Sequence, residues 1–180
     1  MDEETPVAPQ DPYALSKHFG EQMCDAACRR APGTSIVTIR PSWVQTPETI
    51  SQNLGRYVRD KEHTLYQPGM WAYIWVHDLA EAIVLAAAAT DPENGSVKRQ
   101  HQVVYIAAED NAGGRDLRVA VEKQYSGAVP VKPLARVDAS GISSAKANKL
   151  IGWRARTSWR DWLDESTGEL LPRPSTAVSK

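Results

Sequence analysis

The sequence has few cysteines, no long apolar run and no excess of either charge. Two cysteines among 180 residues cannot form a disulfide framework, and they favour a reducing, cytoplasmic location. The longest apolar stretch, 82–89, is far shorter than the roughly 18–20 residues of a membrane-spanning helix. The acidic start, 1–4, lacks the apolar segment of a secretory signal. With a net charge of −1, we expect neither nucleic-acid binding nor membrane binding.

Phosphate-binding and metal-binding patterns are also lacking. The 11 glycines include one adjacent pair, Gly113 and Gly114, but no Gly-x-x-Gly-x-x-Gly triplet of the kind that holds a pyrophosphate at a helix N-terminus. Cys24 and Cys28 lie four residues apart with no histidine or third cysteine at a ligand spacing. We therefore predict no metal site and no complete dinucleotide site.

Helical and strand patterns alternate along the chain. Asp11 followed by Pro12 is typical of a helix start, and the helix is expected to continue to about Arg30. The β-branched run 35–39 predicts a buried parallel strand directly after it. Asp78 and Glu81 predict a capping box for a later helix. The other predicted elements are strands at 71–76 and 102–107 and helices at 49–60, 78–89, 115–125, 143–151 and from 159.

Tyr13 and Lys17 form the most informative pair. Residues four apart share one face of a helix, so the lysine ammonium would favour the phenolate form of the tyrosine. A tyrosine in that setting can exchange a proton with an alcohol or a ketone. The same spacing also fits an exposed tyrosine and lysine on an amphipathic helix, and it recurs at Tyr57 and Lys61. The helix cap before Tyr13 and the strand after its helix favour the first pair.

Four segments resemble, in the same order, the extended short-chain dehydrogenase/reductases of the NAD-dependent epimerase/dehydratase family. Segment 4–21 contains the Tyr/Lys pair, and 39–44 is similar to the strand and loop that lie against the nicotinamide. Segment 73–82 resembles a strand-to-helix junction with an aspartate, and 150–159 resembles a C-terminal Leu-Gly-Trp segment. The resemblance implies the α/β class, as the C-terminal part of a Rossmann-type doubly wound parallel sheet plus a smaller α/β substrate-binding lobe.

The resemblance also implies site residues. Tyr13 would be the catalytic acid and base and would also contact the cofactor. Lys17 would assist it and bind the nicotinamide ribose. The backbone of the loop after the strand would contact the nicotinamide at Pro41, Ser42, Trp43 and Val44. Where sugar-nucleotide enzymes of the family commonly have a phosphate-binding arginine, this sequence has Trp71, which favours a less charged small-molecule substrate.

Domain organisation and assembly follow from the same resemblance. Residues 1–108 would be a remnant of the NAD(P)-binding domain, with about 45–70 contributing to the substrate lobe formed by 109–171, and 172–180 would be a disordered tail. The expected activity is an NAD(P)-dependent oxidation, epimerisation or dehydration at a carbonyl or secondary alcohol. Because the pyrophosphate loop is missing, we expect weak binding of NAD or NADP. The chain would self-associate or form a homodimer, and the alternative function is a non-catalytic binding module.

Overall fold

A computed structural model describes residues 1–60 and 69–172. Lys61, His63 and residues 173–180 of the predicted tail lie outside this described part. The elements in chain order are α1 (Pro12–Arg30), β1 (Ile36–Pro41), β2 (Trp43–Gln45), α2 (Ile50–Arg59), β3 (Tyr73–Trp75), α3 (Val76–Ala89), β4 (His101–Ile106), α4 (Leu117–Tyr125), α5 (Ala145–Ile151) and a 3₁₀ turn (Trp159–Asp161). The α/β class and the predicted order of elements are confirmed.

The strands form two small parallel sheets. β1 pairs with β4, and β2 pairs with β3. Parallel pairing is the arrangement expected of Rossmann-type winding, in which helices connect the strands. The sequence analysis missed β2, because the two prolines of 41–47 indicate a loop and three residues are too few for a clear strand pattern.

Helix α1 is attached to the first sheet by polar contacts. The Asp11 carboxylate accepts a hydrogen bond from the Ala14 amide at 2.8 Å, which caps the helix as predicted. Yet α1 has no buried residue. The apolar side chains at 15, 19 and 23 are exposed, Met23 to 72 %. The ion-pair contacts of this helix with the sheet are made by two carboxylates, Glu21 and Asp25, and are described with the site below.

Two apolar clusters form the core. One packs Ala82 and Ala86 of α3 with Val104 and Ile106 of β4 and with Trp153. The other joins α2, β3, α4 and the 3₁₀ turn. Its largest fully buried members are Trp71, Trp159, Tyr57 and Tyr73. The second cluster therefore combines residues from the 45–70 region with residues after 108. The predicted domain boundary stays a prediction.

Asp78 does not cap α3 as predicted. The helix begins at Val76, and its N-cap residue Trp75 makes no side-chain capping bond. Asp78 lies in the first turn, buried, and its carboxylate accepts bonds from the backbone amides of Arg156 at 3.0 Å and Thr157 at 2.9 Å. This aspartate thus fixes the C-terminal segment to α3, a long-range role that local spacing does not reveal.

A second buried carboxylate, Asp110, connects three parts of the chain. It is 2 % exposed and accepts bonds from the Tyr73 hydroxyl at 2.6 Å, the Ser158 hydroxyl at 2.6 Å and Nη1 of Arg160 at 2.7 Å. Burial and the neighbouring carboxylate raise the pKa of the Tyr73 phenol well above its ordinary value of 10. Tyr73 therefore stays a hydrogen-bond donor, and the network holds β3 against the C-terminal segment.

We expect the isolated chain to self-associate. β1 pairs with β4 on one side only among the described residues, and open strand edges and exposed apolar side chains favour association. Size-exclusion chromatography with light scattering should give a mass above 19.8 kDa that rises with concentration. A monodisperse monomer with a sharp thermal transition would contradict this prediction.

Candidate active site

The chain topology brings the start of α1 next to the end of β1. Helix α1 ends at Arg30, a short turn follows, and β1 runs back along the helix. Tyr13 and Lys17 therefore lie near Pro41, and all three line one groove of about 900 Å³. The carboxyl end of a parallel strand is where α/β proteins place their ligands.

The tyrosine and lysine face solvent together. Tyr13 is 72 % exposed, and Nζ of Lys17 lies 5.1 Å from the centre of its ring. The Ser16 hydroxyl donates to the Tyr13 carbonyl at 2.7 Å, so that serine is engaged with the helix backbone. The phenol thus lies in an open groove beside an ammonium group, where it can exchange a proton with a bound molecule.

Burial separates the two Tyr-x-x-x-Lys motifs. Tyr57 is 1 % exposed in the core, and its hydroxyl accepts a bond from Arg56 at 2.9 Å. Lys61 lies outside the described residues. A tyrosine enclosed in this way cannot reach a substrate, so Tyr13 is the accessible member of the two candidates.

The structure places the four residues of the predicted nicotinamide loop, 41–44, in different surroundings. Pro41 lines the groove with the Tyr/Lys pair. The amide and the hydroxyl of Ser42 both donate to the Ile106 carbonyl, at 2.9 and 3.2 Å. Trp43 lies 6.0 Å from the Arg56 guanidinium, and Val44 packs into the core beside β4. The side chains at 42–44 are thus engaged elsewhere, and their predicted cofactor contacts, which use backbone atoms, stay a prediction.

An ion pair holds the middle of α1 against β1. The Arg40 guanidinium donates two bonds to the Glu21 carboxylate, both at 2.6 Å, and a third to the Tyr105 hydroxyl at 3.1 Å. Sequence reasoning missed this pair. Its two members lie 19 residues apart on different elements, so no local pattern in the sequence indicates it.

A histidine links the same helix to both strands. His101 of β4 lies with Nδ1 2.8 Å from Asp25 of α1 and with Nε2 2.8 Å from the Thr38 hydroxyl of β1. The His101 side chain is 3 % exposed. Together with the Glu21–Arg40 pair, this contact sets the position of α1, and hence of the catalytic candidates, relative to the sheet.

Removal of the Glu21 charge should weaken this attachment in a pH-dependent way. The bonds from Arg40 lower the pKa of the Glu21 carboxyl below its ordinary value of 4.5, so its stabilisation is present above that pH and is lost as the pH falls through the lowered pKa. We expect Glu21→Gln to lower the free energy of unfolding by about 1–2 kcal/mol at pH 7 and by less at pH 3. Urea unfolding at both pH values measures this, with the exposed Glu93→Gln as control. An equal loss at both pH values would contradict it.

The adjacent glycines do not form a phosphate cradle. Gly113 has a φ of +81°, and a Cβ there would lie 2.7 Å from the Tyr57 carbonyl oxygen. At Gly114 a Cβ would lie 2.5 Å from the Arg160 guanidinium. Backbone contact thus requires a glycine at 113, and the left-handed φ of +62° favours one at 114. The nicotinamide contacts expected from the sequence lie beside the groove of Tyr13 and Pro41 and stay a prediction.

The described part of the chain has neither a metal-ligand cluster nor a membrane-spanning helix. Within residues 1–60 and 69–172, no group of three or more His, Cys, Asp or Glu side chains is placed to hold a metal ion. In the same ranges, no helix has the length and apolar character needed to cross a membrane.

The sequence matches the model of one protein family over more than half of its length. The sequence model of the "NAD dependent epimerase/dehydratase family" matches residues 1–103, more than half of the chain. The protein belongs to this family. The matched region contains the Tyr/Lys pair, β1 to β3, the first half of β4 and most of the groove. No curated protein matches the sequence significantly.

Solved structures of epimerase/dehydratase type share the fold. MoeE5 in complex with UDP-glucuronic acid and NAD has a TM-score of 0.53 and 22 % identity over 89 % of this chain and 55 % of its own. UDP-glucose 4-epimerase from Bifidobacterium longum in complex with NAD+ and UDP gives 0.52 and 23 %, over 93 % and 56 %. UDP-glucuronic acid 4-epimerase from Bacillus cereus in complex with NAD gives 0.52 and 17 %, over 93 % and 53 %. The chain therefore spans about half the length of these relatives.

Proposed function

We propose that this chain is the C-terminal part of an NAD-dependent epimerase/dehydratase and supplies the proton-transfer pair of its active site. The observation that carries the proposal is the common placement of Tyr13, Lys17 and Pro41 in one groove of a chain of this family. The chain acts on a carbonyl or secondary alcohol once an NAD-binding half completes the site. The NAD bound to the solved relatives supports NAD as the cofactor.

The chemistry of the pair follows from its geometry. The Tyr13 phenol takes the hydroxyl proton of a substrate alcohol, or returns it to a carbonyl oxygen. Lys17, 5.1 Å from the ring, stabilises the phenolate that remains and donates to the ribose. When bound, NAD would supply the hydride acceptor for the carbon next to that oxygen, and Lys17 would hold its ribose. The backbone of 41–44 would hold the nicotinamide end, with Pro41 in the wall of the groove.

The residue at position 71 is relevant to the charge of the substrate. It is 1 % exposed and packs in the core with α2 and α4, at the position where sugar-nucleotide enzymes of the family commonly have a phosphate-binding arginine. A buried indole offers no charge to a phosphate. We propose a substrate with less negative charge than a nucleotide sugar.

Cofactor titration tests the proposal. We expect the isolated chain to bind NAD weakly or not at all in calorimetry, because a pyrophosphate outside a Gly-rich loop gains few backbone bonds. A chimera with the part of the Bifidobacterium longum enzyme that this chain does not span should bind NAD and turn over an alcohol or a carbonyl compound. A low micromolar dissociation constant for the isolated chain, or a chimera that binds NAD without any turnover, would contradict the proposal.

A further inference from the structure

A second cavity, of about 540 Å³, adjoins the groove of the active-site pair. Its walls are the first residues of the chain, helix α4 and the segment 129–143, which lies between α4 and α5. Leu117 and Val121 of α4 line the cavity from the core and are each 3 % exposed. Small-molecule sites in proteins commonly have volumes of about 300–1,000 Å³. The cavity is therefore large enough to hold a ligand.

Most of the residues that line this cavity are apolar. Residues 129–134 contribute two valines, two prolines and a leucine. Met70 adds a thioether, which adapts readily to the shape of an apolar partner. Its side chain is held close to Gly141, where any Cβ would collide with Met70. The lining thus offers dispersion contacts to an apolar ring or chain.

The charged groups at the cavity already have partners. Nζ of Lys132 donates to the Asp2 carboxylate at 2.6 Å, and the Met1 amino group donates to the Gly141 carbonyl at 2.8 Å. Among the described residues, no other charged side chain lines the cavity. A charged ligand would lose its hydration here and gain no free charge of opposite sign. The cavity therefore favours an uncharged ligand.

The cavity and the active-site groove share part of a wall. Met1 and Thr5 line both spaces. The segment that contains these two residues is fixed to β4, because the Glu3 carboxylate accepts a bond from the Tyr105 amide at 2.7 Å. Tyr13 lies on the groove side of this segment. A ligand that fills the cavity and extends past Thr5 thus enters the groove of the catalytic candidate.

We propose that the cavity holds the apolar ring or chain of an uncharged carbonyl or alcohol substrate, whose reacting carbon lies in the groove beside Tyr13. The inference rests on the proposed function and adds the chemical class of the substrate. Trp71, next to Met70, is buried and brings no charge to this region. Burial of the apolar part of the substrate supplies the affinity that charged contacts would supply to a phosphorylated one.

Titration of the isolated chain with three probes tests the substrate class. Acetylnaphthalene is an uncharged aryl ketone, naphthoate has the same ring system with a carboxylate, and UDP-glucose is a nucleotide sugar. We expect saturable binding of the ketone in calorimetry. Naphthoate should bind more weakly by about tenfold or more, because its carboxylate must lose hydration in the cavity. UDP-glucose should show no binding at the same concentrations.

Substitutions in the segment 129–143 locate the bound ketone. Val131 is partly buried at the cavity, and Val131→Trp should weaken ketone binding by about tenfold or more, because the indole occupies the same space. Val129→Trp, at a position that is 38 % exposed, fills the cavity from its mouth and disturbs the core less. Val137→Trp is the matched control, 69 % exposed in the same segment but outside the cavity, and should leave the affinity unchanged. Circular dichroism verifies the fold of each variant.

Each outcome decides the proposal. An absence of ketone binding, binding of naphthoate or UDP-glucose as tight as that of the ketone, or an equal loss with Val137→Trp and the two filling variants would overturn it. A chain that binds the ketone in this cavity, in a chimera that turns over no alcohol or carbonyl compound, would support the cavity and contradict the proposed function. A chimera that turns over a charged substrate but does not bind the ketone would contradict the cavity alone.

Discussion

Tyr13→Phe in the completed protein, the chimera that adds an NAD-binding half to this chain, should lower turnover by about 10²–10⁴-fold. This is the usual contribution of a positioned acid or base. The substitution removes the hydroxyl that exchanges the proton and keeps the ring beside Lys17. Because Tyr13 is 72 % exposed and buries little surface, the thermal midpoint should not change. NAD binding, measured by calorimetry, should fall far less than turnover, since the phenol contributes only one of the cofactor contacts.

Tyr57→Phe is the matched control for this experiment. Tyr57 has the same spacing from a lysine as Tyr13, but the Tyr57 hydroxyl lies in the core and accepts a hydrogen bond from Arg56. We expect a loss of unfolding free energy of about 1 kcal/mol, the value of one hydrogen bond, with turnover retained. If Tyr57→Phe abolishes turnover and Tyr13→Phe does not, the assignment of the catalytic pair is wrong.

Asp110→Ala should be among the most destabilising single substitutions in the chain. It removes the acceptor of three hydrogen bonds and leaves the buried Tyr73 hydroxyl and the Arg160 guanidinium without that partner. Removing one member of a buried ion pair costs about 3–5 kcal/mol, and the 27 % exposure of Arg160 places our expectation at about 3 kcal/mol. Urea unfolding of the completed protein followed by tryptophan fluorescence measures the loss.

Glu165→Ala is the control on the same arginine. The Glu165 carboxylate lies 3.3 Å from Nε of Arg160 but is 60 % exposed, so its removal should cost no more than about 1 kcal/mol. Similar losses for the two variants would show that Asp110 acts as an ordinary surface carboxylate, contrary to the structure.

Local patterns predicted most helices and strands to within a few residues. The Asp11 cap and the parallel strand after α1 depend on neighbours in the chain, and both are observed. The prediction that this strand is buried is wrong, because β1 pairs on one side only among the described residues and stays half-buried. The three-residue strand β2 was not predicted, because only its pairing with β3 identifies these residues as a strand. Asp78 was misassigned for a related reason, since its partners at 156 and 157 lie about 80 residues away.

The candidate site was predictable in part. The spacing of Tyr13 and Lys17 on one helical face is a local property, so the pair could be proposed from residues alone. Their choice over Tyr57 and Lys61 rested on context in the sequence, and burial of Tyr57 in the core now supports it. The contacts that position the pair, Glu21 with Arg40 and Asp25 with His101, join residues 19 and 76 positions apart.

By itself, therefore, the sequence determined the α/β class, the order of the elements, the helix that carries the Tyr/Lys pair and the family resemblance. These depend on capping, periodicity and motif spacing, which act over a few residues. Tertiary structure alone decided which tyrosine is accessible, which carboxylates are buried and which edge of the sheet is open. The physical reason is that burial and pairing depend on distant segments meeting in space, and nothing in the local chain specifies those partners.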